Sequence, residues 1–311
     1  MAYLSRVFNK VRLHRSNQIK ADVFLGEKLF IFSVYAFLIG FALICLIPFW
    51  LVVAGSFTPE ITLRQEGFQL FPQKISTYAY EYVINGKQIG RSYVVSSFVT
   101  GVGTLLALGV SVPFAYVLSR RIWIARPLSF LSYFTMVVGG GLVGFYILIS
   151  NWLGLKDSKW SLILPYLLNP FFVFVLLAYF RTLPEELLEA AKMDGANDLI
   201  IFWRIVCPIS IPIIATVGLF YALQYWNDWW LALLFIDNPD NHPLQFMLKQ
   251  LQATTDARFY IGNAGLSYQL VVPNYGVRMA TVCLTIGPVL LIYPFIQQYF
   301  IKGITLGALK G

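Results

Sequence analysis

Long apolar stretches, each with at most one charged residue, alternate with polar connections along the chain. Six of these stretches exceed the ~20 apolar residues that a helix needs to cross ~30 Å of hydrocarbon. They are residues 29–54, 92–119, 127–155, 160–180, 205–236 and 279–301. Backbone groups in lipid must bond internally, and the stretches lack the alternating ten-residue pattern of barrel strands. The pattern therefore predicts an all-α integral membrane protein with six transmembrane helices.

The composition agrees with this assignment and argues against a soluble protein. Hydrophobic residues make up 58% of the 311 residues, and charged residues make up 12%. Because a soluble domain carries about a quarter charged residues, a single soluble core would not use this much apolar surface. The net charge of +8 comes largely from Lys and Arg beside the apolar segments. Attraction to anionic lipid of the inner leaflet explains these residues, so no nucleic-acid partner is predicted.

The distribution of basic residues predicts the orientation of the chain. Fourteen of the 23 Lys and Arg residues lie before span one, between spans two and three, between spans four and five, and after span six. An excess of Lys and Arg marks cytoplasmic segments, so both termini are predicted to be cytoplasmic. The chain then divides into a basic N-terminal arm (1–28), a transmembrane domain (29–301) and a cytoplasmic tail (302–311). The longest connection on the opposite side is the outer loop 237–278.

One cytoplasmic connection, residues 183–208, differs from the others. Pro184 suits a first helical position, and two glutamates follow it where the helix dipole favours negative charge. Gly195 is expected to end this helix, because glycine adopts a positive φ without a Cβ clash. Asn197 is placed to cap a second short helix, which we expect to end near Pro208. The segment is therefore predicted to be a helical hairpin with a sharp glycine bend.

The surface of this hairpin is expected to be both acidic and apolar. Glu189 and Lys192 stand three residues apart and are expected to pair, and the second helix carries the apolar run 200–203. Because exposing that run to water is costly, we expect it to face the bilayer or another protein. Helices that lie in lipid headgroups usually carry Lys and Arg on their polar face. The glutamates of the hairpin therefore favour a protein partner over the alternative of an interfacial helix.

The hairpin resembles the EAA loop of ABC-importer permeases, most closely in the carbohydrate-importing, binding-protein-dependent branch with its maltose-type and complex-oligosaccharide members. The residues that carry the resemblance are Glu189-Ala190-Ala191, Asp194-Gly195-Ala196, Phe202, Ile205, Pro208 and Pro212. It continues along most of the chain in Pro48-Phe49-Trp50, Trp226-Asn227-Asp228 and Tyr293-Pro294-Phe295. Two positions depart from the family. Cys207 stands where Leu is more common, and Gly144 replaces a proline that follows the Gly-Gly pair of the complex-oligosaccharide members.

This resemblance implies the type I importer permease fold, in a bacterial cytoplasmic (inner) membrane. It implies that the hairpin is a coupling loop that docks into an ATPase through Glu189, Ala190, Ala191, Asp194, Gly195, Ala196 and Phe202. Two ATP-binding-cassette ATPases, a second and different permease subunit, and an extracytoplasmic solute-binding protein are the implied partners. The implied function is one half of the translocation path for a sugar or an oligosaccharide.

The chain contains no G-x-x-x-x-G-K run and therefore no phosphate-binding loop of its own. We expect it to be a transport subunit, not an enzyme, and to bind no cofactor, with ATP and Mg held by the partner ATPase. No metal site is predicted, because His14 and His242 are too few and lie on opposite sides of the predicted membrane. Both histidines are expected at the surface.

A polar and aromatic cluster in span five is the candidate substrate path, formed by Gln224, Tyr225, Trp226, Asn227 and Asp228. Its polar members stand three or four residues apart and share a helical face. Polar groups within a span usually face a cavity, and sugars bind to amides, carboxylates and aromatic faces. A structural role stays open, since Asp228 could bond a neighbouring helix. For the glycines of span three, at 139–141 and 144, close helix packing is favoured over substrate contact.

Two other functions stay open on the sequence. The same architecture could import a solute other than a sugar. An ion-driven secondary transporter would need ionisable groups buried in several spans, and only Asp228 qualifies.

Overall fold

The computed structural model of the chain describes residues 2–120, 122–262 and 275–287, and all regular structure in these ranges is helical. The first half of the described chain contains α1 (Ala2–Ser56), α2 (Glu60–Glu66), α3 (Tyr78–Asn85), α4 (Lys87–Ser119), α5 (Ala125–Val137) and α6 (Leu142–Ile147), which continues as a π-helical turn (Leu148–Trp152). The second half contains α7 (Trp160–Ile163) with a 3-10 turn (Leu164–Tyr166), α8 (Pro170–Phe180), α9 (Glu185–Met193), α10 (Asp198–Ile201) with a π-helical turn (Phe202–Val206), α11 (Cys207–Ile209), α12 (Ile211–Asn227), α13 (Trp230–Phe235), a 3-10 turn (Pro239–Asn241), α14 (Leu244–Gly262) and α15 (275–287).

Two helical segments are long and apolar enough to cross a membrane alone, Phe30–Ser56 and Gln88–Ser119. Three pairs of shorter helices reach that length together but bend at a short break, by 111°, 44° and 80°. If each bent pair is one crossing, the described residues supply up to five. The sixth predicted span, 279–301, lies mostly outside the described residues, with only its first nine positions in α15. The count of six and the cytoplasmic position of both termini therefore stay predictions.

Span three is the largest departure from the predicted helices. The prediction of one continuous helix over 127–155 is wrong, because α5 ends at Val137 and the next helix leaves at 111°. The break falls on the glycine run, where Gly141 has a φ of 77°, a conformation that residues with a Cβ avoid. A Cβ built on any of the four glycines at 139–141 and 144 meets no atom within 4 Å. These glycines therefore do not bring helices of the described chain together, contrary to the packing role predicted for them.

Span five also differs from its predicted limits, whereas the crossing segment Phe30–Ser56 agrees with the predicted span one. No break at residue 28 separates the predicted arm from span one, since α1 runs without interruption from Ala2 to Ser56. Residues 205–210 belong to the hairpin, and α12 begins only at Ile211 after an 80° bend. The predicted outer loop 237–278 is largely helical in its described part, because α14 occupies Leu244–Gly262.

The core of the described chain lies between α4, α8 and α12. Small side chains such as Ala107 and Ala115 of α4 are completely buried there, beside Val173 and Leu176 of α8 and Val217 of α12. Small residues let helix backbones approach closely, which is how membrane helices gain van der Waals contact without a hydrophobic driving force. In contrast, the part of α1 from Phe30 to Trp50 exposes apolar side chains all round, including Phe30, Phe32 and Phe37 at about 70%. Such a surface requires lipid or a second protein to cover it.

The closest approach in this core is between Gly103 of α4 and the ring of Tyr225 of α12. A Cβ on Gly103 would lie 2.8–2.9 Å from three ring carbons. The ring is held in place because its hydroxyl donates a hydrogen bond to the carbonyl of Ile163, at 3.0 Å. We therefore predict that Gly103→Ala forces α4 and α12 apart and lowers the free energy of unfolding by about 1–3 kcal/mol.

Thermal unfolding of the purified chain in detergent measures this effect. Gly101→Ala is the matched control, because Gly101 is exposed in the same helix and has no neighbour within 4 Å. Both substitutions gain the same helix propensity, roughly 0.5–1 kcal/mol, so the difference between the two midpoints isolates the clash. Equal midpoints would show that the α4–α12 contact tolerates a methyl group.

Candidate functional site

The hairpin of residues 183–208 has the predicted local structure. Its first helix is α9, which is followed by Gly195 with a φ of 80°. The carboxamide oxygen of Asn197 accepts a hydrogen bond from the backbone N–H of Ile200 at 2.8 Å and so caps α10. The predicted glycine bend and asparagine cap are both confirmed. The second helix continues past Pro208 to Ile209, which is one residue beyond the predicted end.

One side of the hairpin is buried against the rest of the chain. Leu188 and Ala191 of α9 face inward, and Ile201 and Phe202 are 0% and 5% exposed. The ring of Phe202 lies 5.0 Å from the ring of Tyr116 in α4. The prediction that the whole apolar run needs an external partner is therefore wrong for Ile201 and Phe202, because both are buried within the core cluster of this chain.

The opposite side of the hairpin is exposed and carries most of the predicted coupling residues. Glu189, Ala190, Asp194 and Gly195 are exposed, Ala196 is half-buried, and Ala191 is buried with Phe202. Large apolar side chains surround the exposed group, with Met193 at 89%, Leu199 at 67% and Trp203 at 63% exposure. Apolar and acidic groups are thus presented together at the tip, as expected for a surface that binds another protein.

The predicted ion pair between Glu189 and Lys192 is not the one that forms. The ammonium group of Lys192 lies 3.0 Å from a carboxylate oxygen of Asp198, across the glycine bend. The two helices fold back at Gly195, and this brings the start of α10 beside the end of α9. Glu189 is left at the exposed tip.

The hairpin leads directly into α12. Its second helix runs through a π-helical turn (Phe202–Val206) and α11, and α12 follows directly after the bend at Ser210. Val206 is fully buried in this connection, and the hydroxyl of Tyr179 in α8 donates to the carbonyl of Ile209 at 3.3 Å. The end of the hairpin is therefore bonded to α8 and continuous with α12.

Three of the five residues of the candidate substrate path, Tyr225, Trp226 and Asp228, bond α12 to neighbouring helices. The hydroxyl of Tyr225 bonds to the carbonyl of Ile163, and the indole N–H of Trp226 donates to the carbonyl of Thr285 at 3.3 Å. Asp228 accepts hydrogen bonds from the hydroxyl of Tyr166 at 2.9 Å and from the N–H of Leu231 at 3.2 Å. These side chains tie α12 to α7, α13 and α15. Asp228 therefore has the structural role that the sequence left open.

The other two path residues are less constrained. The side-chain oxygen of Gln224 accepts a bond from the amide of Asn169 at 3.3 Å, and Asn227 is exposed with one long contact of 3.5 Å to Gln245. Asn169 was not among the predicted site residues. It stands at the break before α8, where its side chain also caps the N–H of Phe171 at 3.0 Å. The Asn-Pro pair at 169–170 within an apolar span is the signal that could have found it.

A second polar site lies on the opposite side of the chain, between residues 156–157 and 237–241. One carboxylate oxygen of Asp157 accepts the backbone N–H groups of Asp237 and Asn238 at 2.6 and 2.8 Å. The side chain of Asn241 donates to the carbonyl of Asp157 at 2.9 Å, and Lys156 pairs with Asp237 at 2.8 Å. Arg91 at the start of α4 pairs with Asp240. These contacts, here called the outer clamp, fix the start of the predicted outer loop to its neighbours.

The histidine beside this clamp is not at the surface as predicted. His242 is 6% exposed, and its ring packs edge-on against Phe246 at 4.7 Å. Burial lowers the pKa of His242, so the neutral form is favoured at pH 7. Among the described residues, His, Cys, Asp and Glu side chains form no group of three that could hold a metal ion.

The long apolar helices, the broken spans and the exposed hairpin together define a membrane-embedded subunit of a transport system. Residues 100–306 match the family model described as "Binding-protein-dependent transport system inner membrane component". This match covers the hairpin and most of the core, and the chain belongs to that family. The inner-membrane location and the predicted carbohydrate branch of ABC-importer permeases are confirmed by the family and by the relatives that follow.

Several relatives match over nearly their whole length. The polygalacturonan/rhamnogalacturonan transport system permease protein YtcP of Bacillus subtilis is 41% identical over 92% of this chain and 100% of its own. The arabinooligosaccharides transport system permease protein AraQ of the same organism is 29% identical over 90% and 98%. A solved chain of a bacterial ABC transporter involved in the import of the acidic polysaccharide alginate is 32% identical, with a TM-score of 0.75 over 86% and 95%. The fold is therefore that of an ABC-importer permease.

The outer clamp is expected to depend on pH through Asp157. The two backbone N–H groups, first that of Asn238 and then that of Asp237, lower the pKa of this carboxyl below its usual value of about 3.9. A carboxyl with a lowered pKa in the folded state stabilises the fold above its unfolded pKa and loses that contribution as the pH falls through the folded value. We predict that the clamp is intact at pH 5–7 and opens below about pH 4.

Unfolding midpoints of the wild type and of Asp157→Asn in detergent check this prediction. Asparagine tolerates the left-handed backbone of position 157, where φ is 59°, so the variant removes the charge and keeps the turn. The difference between the two midpoints should be present at pH 6 and shrink below pH 4. Asp194→Asn, at the exposed hairpin tip, is the control and should show no such difference. A pH-independent difference at position 157 would contradict the role of the charge.

Proposed function

We propose that this chain is the half-channel permease of an ATP-driven importer for a sugar or an oligosaccharide, and that it couples transport to ATP hydrolysis in a separate subunit. The observation that carries this proposal is the hairpin, which exposes acidic and apolar groups at its tip while its base is buried against the core. The carbohydrates named for the relatives support the class of substrate. In this proposal the chain forms and breaks no covalent bond.

The coupling step uses the geometry of the hairpin. An ATPase would bind the tip of the hairpin through the exposed Glu189, Met193 and Asp194. The base of the hairpin is held to α4 by the buried contact of Phe202 with Tyr116. Closure of two ATPases on ATP and Mg would then move the hairpin, α8 and α12 as one body. The bound nucleotide biases the balance between an inward-facing and an outward-facing state, because it interacts differently with the two.

The substrate path in this proposal runs beside the broken spans. Discontinuous helices commonly form the binding sites of transporters, because breaks free polar backbone groups near the middle of the membrane. Asn227 and Gln224 offer amide groups at the end of α12, and Tyr225, Trp226 and Asp228 hold the supporting helices in position. A second, different permease would complete the path around them.

The remaining features of the proposal are the topology and the outer partner. Six spans place both termini in the cytoplasm, on the side of the hairpin, which agrees with the excess of Lys and Arg there. A solute-binding protein would then dock on the outer face, where the outer clamp holds the start of the 237–278 segment against α4 and residues 156–157. A docking surface needs such a fixed geometry.

Reconstitution tests the proposed function as a whole. The full complex of both permeases and the ATPases, in liposomes with the binding protein outside, should take up an oligosaccharide only when ATP and Mg are enclosed. An acidic galacturonate oligomer and a neutral arabinose oligomer are the two substrates to compare. Uptake by this chain without the ATPase would overturn the proposal in favour of a secondary transporter. Equal uptake of an unrelated solute, such as an amino acid, would overturn the carbohydrate assignment.

Coupling is tested at the tip of the hairpin. Glu189→Lys reverses an exposed charge, and Gly195→Trp places a bulky side chain at a φ of 80°, so both should disrupt the ATPase contact. We predict that substrate-stimulated ATP hydrolysis falls roughly tenfold or more, as expected when a charge at an interface is reversed. The measurement is phosphate release by the reconstituted complex with and without loaded binding protein.

The matched control for Glu189→Lys is Glu66→Lys, which makes the same change in the exposed outer helix α2. It should leave the stimulation near the wild-type value, and both variants should insert into the membrane normally. Full stimulation in both hairpin variants would refute the coupling role of this segment.

A second pair of variants distinguishes a residue that is proposed to contact the substrate from a residue that supports the fold. Asn227→Ala should lower the uptake rate about fivefold, the value of one hydrogen bond to a sugar, without changing the unfolding midpoint. Tyr225→Phe removes the bond to the carbonyl of Ile163 and should lower stability by about 0.6–2 kcal/mol. The measurements are initial uptake rates and thermal unfolding of the same preparations. If Asn227→Ala transports at the wild-type rate, this side chain is not in the path.

A further inference from the structure

A cavity of about 940 Å³ opens beside the base of the hairpin, between the end of α4, the start of α5 and the α8–α9 connection. Its volume is at the upper end of the range of sites that hold small molecules, roughly 300–1,000 Å³. The charged side chains that line it are Arg120, Arg126, Arg181 and Glu185. With three arginines and one glutamate, the cavity favours an anion.

The arginines of this cavity lack anionic partners among the described residues. The side chains of Arg126 and Arg181 make no hydrogen bond or ion pair with that part of the chain. The Nε of Arg120 is buried and has no hydrogen-bond partner there, while its guanidinium carbon lies 4.4 Å from the centre of the Tyr116 ring. An unsatisfied buried donor on a charged group is costly, so the cavity is suited to an acceptor with several oxygens.

The rim of the cavity is apolar and aromatic. Trp123 is 85% exposed and Ile122 is 43% exposed, and both follow directly after the basic end of α4. Tryptophan is enriched at the level of lipid headgroups, where its ring spans the polar and apolar layers. Basic pockets between membrane helices bind the headgroups of anionic lipids. The combination of three arginines with an exposed Trp and Ile therefore fits an amphiphile better than a small ion in water.

We infer that this cavity binds the phosphate group of an anionic phospholipid, through Arg120, Arg126 and Arg181, with the acyl chains against Trp123 and Ile122. Tyr116 contacts both Arg120 and Phe202, so the bound headgroup lies one side chain away from the base of the hairpin. The proposed lipid site therefore lies next to the hairpin, which is the segment proposed to bind the ATPase. The inference does not depend on which substrate the chain transports.

Lipid binding to the full-length chain tests the inference directly. The purified and delipidated chain is titrated with phosphatidylglycerol or with phosphatidylcholine of the same acyl chains, and bound lipid is counted by native mass spectrometry. The wild type should retain phosphatidylglycerol selectively. The double variant Arg126→Gln/Arg181→Gln should bind it about 30-fold more weakly, since each arginine near an anionic surface contributes about 1 kcal/mol.

Two further variants test whether binding depends on the positive charge of the arginines and on their place in the cavity. Arg126→Lys/Arg181→Lys keeps the positive charge and should retain most of the binding. Arg204→Gln removes an exposed arginine on the hairpin, outside the cavity, and should bind as the wild type does. If the glutamine variant does not fold, equal retention of the two lipids by the wild type still overturns the inference.

Several outcomes would overturn the inference. Equal retention of both lipids, or unchanged phosphatidylglycerol binding in the glutamine double variant, would show that the arginines do not recognise the headgroup. Displacement of the lipid by millimolar inorganic phosphate would identify free phosphate as the ligand. Loss of the bound lipid when the partner ATPase assembles would identify the cavity as a protein contact. Each result is read without a transport assay, so it is independent of the proposed transport function.

Discussion

Backbone groups that are freed where a helix breaks inside a membrane must find partners within the protein, and the core of this chain depends on that constraint. Span four breaks between Tyr166 and Pro170, where lipid offers no hydrogen bonds and each orphan group would cost several kcal/mol. The hydroxyl of Tyr221 accepts the N–H of Asn169 at 3.0 Å and bonds to Ser111, whose hydroxyl reaches the carbonyl of Leu167 at 3.4 Å. Because each hydroxyl has one proton, Tyr221 donates to Ser111 and Ser111 donates to the carbonyl. Tyr225 satisfies the carbonyl of Ile163 in the same way.

This use of hydroxyl groups explains why α12 carries so many polar aromatic residues. Tyr225, one member of the predicted substrate-path cluster, holds a broken neighbouring helix in place, and Gly103 lets its ring come close enough to do so. The broken span in turn brings Asn169 beside Gln224. The break in span four is therefore stabilised by side chains of α12, the helix that lies beside it.

The same core connects the two faces of the protein. On one face, Ile201 and Phe202 of the hairpin are buried in the core cluster, where Phe202 lies against Tyr116 of α4, and Ser210 turns the chain directly into α12. On the other face, the N–H of Asp157 donates to the carbonyl of Phe235 at the end of α13, beside the clamp on residues 237 and 238. Closely packed interiors transmit strain instead of absorbing it. Residues at the base of the hairpin and residues beside the outer clamp thus belong to one buried cluster.

The sequence by itself determined the features that depend on neighbouring residues. Apolar length identified two helices that are long enough to cross a membrane alone. The pattern around Gly195 and Asn197 identified the bend and the cap, because φ at glycine and an asparagine cap are local properties. The tertiary structure alone decided which side chains make internal contacts that stabilise the fold. It paired Lys192 with Asp198, buried Ile201 and Phe202, and bonded Tyr225 to a residue 62 positions away. It also broke span three at its glycine run, because a glycine bends a helix only as far as its surroundings permit. Such contacts join residues that are distant in the chain, and no local pattern records them.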